Sequence, residues 1–100
     1  MFEEFQPPGR KKKKVDYEAL HSPLNRIPGM RLEVVRDLID IGIAHIEELR
    51  GRSPEALYEE IQNLRENTAR ERLFSLRMAV YYAETEDPDP ALLQPHRWAD

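Results

Sequence analysis

The dipeptide Pro28-Gly29 stands between two segments of helical pattern and limits what this chain can become. Proline lacks a backbone donor and disfavours helical geometry in the residue before it, whereas glycine enters the left-handed region without steric cost. The chain must turn there, and any helix beyond it must start afresh. Residues 31–41 read as helix, because Glu33, Arg36, Asp37 and Asp40 share one side while Leu32, Val35, Leu38 and Ile39 take the other. Gly42 is placed to end that helix in a left-handed conformation. Ahead of the turn, Ser22 followed by Pro23 predicts a brief helix through Leu24 and Arg26, and Asp16 can cap a short turn through Tyr17, Ala19 and Leu20.

The same punctuation recurs downstream. A short helix over residues 44–50 carries Ile46 and Leu49 inward and stops at Gly51. Ser53 then caps the next helix, with Pro54 in its first turn and Leu57, Ile61 and Leu64 as its apolar stripe. The segment Thr68-Ala69-Arg70-Glu71 has capping-box spacing and announces a longer helix to about Glu84. Its apolar arc is wide enough to make it the central element. Pro88, Pro90 and Pro95 predict an extended tail with one capped turn at Asp89-Pro90-Ala91-Leu92, docked by Trp98. No run alternates over strand length with β-branched enrichment. The expectation is an all-α, compact domain of about five helices over residues 16–84, preceded by a disordered basic arm, 1–15, and followed by an extended Pro-rich tail, 85–100.

Composition excludes several functions. With no cysteine there is no disulfide framework, cysteine–zinc site, iron–sulfur ligation or thiol catalysis. No apolar run reaches the roughly 20 residues that cross a bilayer and no secretory leader opens the chain, so a cytoplasmic protein without a membrane partner is expected. The formal net charge is -4, and all four lysines lie at Lys11, Lys12, Lys13 and Lys14. From residue 23 onward 10 arginines face 15 carboxylates, so global steering toward nucleic acid is not available and only local patches can serve.

Residues 24–43, Leu-Asn-Arg-Ile-Pro-Gly-Met-Arg-Leu-Glu-Val-Val-Arg-Asp-Leu-Ile-Asp-Ile-Gly-Ile, resemble a helix-hairpin-helix motif. A more degenerate copy follows through Ile43, Ile46, Leu49 and Gly51-Arg52-Ser53-Pro54, so the pair resembles a compact tandem helix-hairpin-helix, SAM-like bundle. Such a motif implies that amides at the start of the second helix face a DNA phosphate and read backbone, not sequence. Over about residues 23–98 the chain is similar to the bacterial pathogenicity-locus family, whose members are often labelled mitomycin resistance proteins. The resemblance rests on residues 24–42, on Glu48-Leu49-Arg50-Gly51-Arg52-Ser53-Pro54-Glu55-Ala56-Leu57-Tyr58, on Arg77-Met78-Ala79-Val80-Tyr81-Tyr82-Ala83, and on Leu92, Leu93, Trp98 and Asp100. The label implies an association with tolerance of DNA damage and no established reaction.

The expected nucleic-acid-binding residues are Gly29, Met30 and Arg31 through their amides, Arg26, Arg31, Arg50 and Arg52 through their side chains, and Lys11, Lys12, Lys13 and Lys14 as a tether. Arg31 stands where the hairpin pattern has its second glycine. It either replaces backbone access with a guanidinium contact or marks a fold kept without binding, and Glu33 at the same end favours the latter. Arg77 is expected to snorkel and pair with a carboxylate, and Tyr81, Tyr82 and Trp98 to pack. His21, His45 and His96 form no ligand spacing, Ser22, Ser53 and Ser75 sit in no nucleophile motif, and no glycine-rich loop cradles a nucleotide. No metal, cofactor, small-molecule ligand or catalytic residue is therefore expected. The two functional expectations are weak, sequence-independent contact with DNA backbone by a non-catalytic module and, alternatively, a protein–protein interaction module of the same fold.

Overall fold

The structure, a computed structural model, describes residues 16–100. Among these residues the elements are four α-helices, α1 (Tyr17–Leu20), α2 (Leu32–Asp40), α3 (Pro54–Leu64) and α4 (Glu71–Glu84), with 3-10 turns at Pro23–Arg26, Ile46–Leu49, Pro90–Leu92 and Pro95–Trp98, and no strand. The two brief helices expected before α2 and before α3 are single 3-10 turns. Each is too short for α-helical hydrogen bonding to repeat between the flanking breakers.

Local chemistry sets most of the boundaries. Asp16 accepts from the Ala19 amide at 3.2 Å, Ser22 from Leu24 at 3.0 Å, Ser53 from Ala56 at 3.2 Å and Asp89 from Ala91 at 2.9 Å, each closing an orphan donor at the start of its element. The capping box at residues 68–71 does not form. Thr68 donates instead to the Arg65 carbonyl at 3.3 Å, Asn67 takes a φ of 58°, and α4 begins at Glu71 behind Arg70, which offers no side-chain cap.

Helix α4 buries Leu73, Ser75, Leu76, Met78, Ala79, Val80 and Ala83, residues that run around most of its circumference. It is the hub: α3, the Ile46–Leu49 turn and the Pro95–Trp98 turn pack against it, α2 touches it, and α1 lies on α2. The core joins Leu24, Ile27, Val34, Val35 and Leu38 to Leu49, Leu57, Ile61 and the α4 residues. Each buried leucine, isoleucine, valine or methionine among them contributes about 1.5–3 kcal/mol. The tail is turned rather than extended. Trp98 donates through Nε1 to the Leu92 carbonyl at 2.8 Å and its ring meets Tyr81 at 5.3 Å, while Arg77 reaches the Trp98 carbonyl at 2.7 Å, Asp100 at 2.9 Å and Glu55 at 3.3 Å.

Two residues of α2 depart from their expected faces. Asp37 is buried, 1% exposed, because Arg72 of α4 and Arg65 at the end of α3 both bond its carboxylate. Leu32, expected inward, is 41% exposed.

Candidate nucleic-acid interface

Ile27 closes the Pro23–Arg26 turn and is buried, so the chain enters the corner from the core. Gly29 adopts φ +79°, and a Cβ there would stand 2.5 Å from the Leu93 carbonyl oxygen and 3.3 Å from the Met78 sulfur. The tail therefore lies directly on this glycine. The Met30 amide donates to the Ile27 carbonyl at 3.2 Å, which removes it from the expected set of outward donors. Arg31, extended at φ -103° and ψ 144°, precedes α2 without capping it. Consequently the amides of Leu32 and Glu33 have no acceptor among the described residues, and the positive end of α2 is open at these two groups. Arg31 is exposed and its only ionic partner among the described residues is Glu33, also exposed, at 3.4 Å. Arg26 is exposed and has no ionic partner among the described residues.

The second corner is closed by the protein itself. Gly51 donates its amide to Glu84 Oε2 at 2.6 Å, and Arg50 Nε donates to the Ala83 carbonyl at 2.9 Å, so the end of α4 occupies the position an incoming anion would need. The Arg52 amide goes to the Leu49 carbonyl at 3.1 Å and its guanidinium to Glu60 at 3.2 Å. The expected residues thus fall into two sets. Arg26, Gly29, Met30 and Arg31 gather at a corner with open donors just beyond them, and Arg50 and Arg52 at a corner already satisfied. Lys11, Lys12, Lys13 and Lys14 lie outside the described residues.

Elsewhere among the described residues every guanidinium group except that of Arg97 is held by carboxylates. Arg36 bonds Asp16 at 3.1 Å, Glu18 at 3.2 Å and Asp40 at 2.8 Å; Arg70 bonds Asp100 at 2.6 Å; Arg65 bonds Asp40. Burial pushes the Asp37 carboxyl up from its ordinary value, against the opposing pull of Arg72 and Arg65. Partial desolvation pushes Asp40 up as well, but hydrogen bonds from Arg65 and Arg36 outweigh it and the net direction is down. Hydrogen bonds from Arg70 and Arg77 hold Asp100 at about 2. These are structural clamps between elements, and among the described residues no cluster of three or more metal-ligating side chains occurs. No helix of the described residues is long and apolar enough to cross a membrane.

Glu71, read from the sequence only as part of a capping box, and Ser75, set aside for want of a nucleophile motif, line the space beside the open end of α2. Ser75 is fully buried with a hydroxyl that finds no partner among the described residues.

A family model described as Cdd1: Pathogenicity locus matches residues 18–99, nearly the whole described chain, and the protein belongs to that family. No curated protein and no solved structure matches it.

Proposed function

We propose that this member of the pathogenicity locus family is a non-catalytic helix-hairpin-helix module that touches nucleic-acid backbone weakly and without sequence preference. The observation that carries this reading is the uncapped start of α2, where the Leu32 and Glu33 amides lack acceptors among the described residues beside exposed Arg31. Amides at a helix start, reinforced by a guanidinium, suit a phosphate oxygen. Arg26 adds a second charge from the preceding turn, and the lysines at 11–14 act as an electrostatic tether from the sequence ahead of the domain. Glu33 and the acidic surplus limit affinity. One open corner reaches two or three phosphates, so dissociation constants are micromolar or weaker and the logarithmic salt slope is about -2 to -3.

The test is titration of a labelled duplex at two ionic strengths with the full chain, Arg31→Glu and a chain lacking residues 1–15. Arg31→Glu is expected to weaken binding and to flatten the salt slope by at least about one. Affinity unchanged by both variants would remove these residues from the interface.

A second reading, a protein-interaction module, is favoured by the Glu84 carboxylate on the Gly51 amide and by 17 carboxylates against 10 arginines over residues 16–100. Co-purification with and without nuclease separates the two: partners retained after nuclease treatment support docking, and partners lost with it support the DNA reading.

A further inference from the structure

Two adjoining cavities flank the start of α2 and share Arg31, Glu71 and Ser75. The first, about 340 Å³, continues past Glu33, Val34 and Arg72. The second, about 350 Å³, continues past Phe74, Pro95 and His96. Together they make a cleft with a charged half against α2 and an aromatic and apolar half against the Pro95–Trp98 turn. Three features of the cleft lack partners among the described residues. They are the Glu33 amide at one end, with the equally open Leu32 amide next to it on α2, the buried Ser75 hydroxyl, and the Glu71 carboxylate, which makes no ion pair or hydrogen bond. Buried hydroxyls are seldom left unpaired, so this one marks a place where a polar atom belongs.

We infer that the cleft takes one unpaired nucleotide of a single strand, its phosphodiester at the start of α2 and its base between Glu71 and Phe74. This rests on the nucleic-acid reading above and adds the form of nucleic acid. The donors at α2 accept an oxyanion, and Arg31 exchanges its exposed contact with Glu33 for the phosphate at little cost. Arg72 contributes no contact, being held on Asp37. Glu33 and Glu71 disfavour a dianionic monophosphate, which selects a diester within a strand over a free nucleotide. An unpaired Glu71 carboxylate accepts from a base that carries an exocyclic amine, and Ser75 supplies a hydroxyl beside it. Thymine presents its N–H between two carbonyls, which a carboxylate repels. Phe74, Pro95 and His96 offer a face to the ring. A duplex has those edges paired and its bases stacked, so it reaches only the α2 end.

The experiment is fluorescence anisotropy on the full chain with three ten-nucleotide probes: single-stranded deoxyadenosine, single-stranded thymidine and a mixed-sequence duplex. The deoxyadenosine strand is expected to bind about fivefold tighter than either other probe. Glu71→Ala, at an exposed position, should bring the adenine-to-thymine ratio near one, and Ser75→Ala should weaken the single strand while leaving the duplex unchanged. Single strand and duplex bound alike, or a ratio unaltered by Glu71→Ala, would overturn the cleft assignment and leave the backbone reading standing. No binding of any probe would overturn both.

Discussion

Gly29 and Gly42 show how much a single residue's meaning depends on its surroundings. Both hold positive φ, +79° and +92°, so either substitution by alanine meets the left-handed penalty of about 1–2 kcal/mol. Around Gly42 a Cβ meets nothing within 4 Å, whereas at Gly29 it would stand 2.5 Å from the Leu93 carbonyl. Urea denaturation should therefore give a loss of about 1–2 kcal/mol for Gly42→Ala and about 2–5 kcal/mol for Gly29→Ala. Equal losses would mean that the tail does not rest on the corner. The need for glycine at 29 was legible from Pro28-Gly29 alone; the second reason for it, a carbonyl from the far end of the chain, was not. Asp37 teaches the same lesson. Its register placed it on a polar face, and only the approach of Arg65 and Arg72 from other elements lets that face be buried.

At the scale of elements, α2 and α3 were readable because each combines an apolar stripe with local stop and start residues, and those contacts lie within a few residues of one another. The Thr68 box failed because the turn at Asn67, where Thr68 donates to the Arg65 carbonyl, delays the helix until Arg70 is its N-cap and Glu71 its first residue, so Thr68 and Glu71 no longer hold the two positions of the box. The state of the two corners was illegible for a different reason. Whether an amide is free depends on what reaches it from afar, and at the second corner that is the last residue of α4. Glu84 bonds Gly51 as an internal anion. Replacing it by glutamine removes the charge and keeps the size. Glu84→Gln is expected to strengthen duplex binding about twofold to fivefold in anisotropy at low salt, as the corner loses the carboxylate charge that repels phosphate. Weaker binding would show that the contact supports the interface instead of closing it.

At the scale of the whole fold, most arginines of the described residues serve first to hold elements together. Asp100 is the clearest case, since Arg70 and Arg77 tie it and the preceding turn to α4. Its carboxyl is held at about 2, below the usual carboxylate value, so its contribution is complete above that usual value and is lost as pH falls through about 2. Trp98 is the only tryptophan and packs beside this clamp. Acidification from about pH 4 to about pH 2 should therefore shift its emission to the red as the tail releases. An emission maximum that holds constant over that range would separate tail docking from the Asp100 pair.

The central claim is that the open amides at the start of α2 meet phosphate. It is tested most directly by following backbone amide resonances while a short duplex is added to the isotope-labelled full chain at low salt. The expected result is the largest movements at Arg31, Leu32 and Glu33, with Gly51 and Arg52 still and all movements suppressed by salt. Silence at residues 31–33, or movements centred on Gly51, would contradict it.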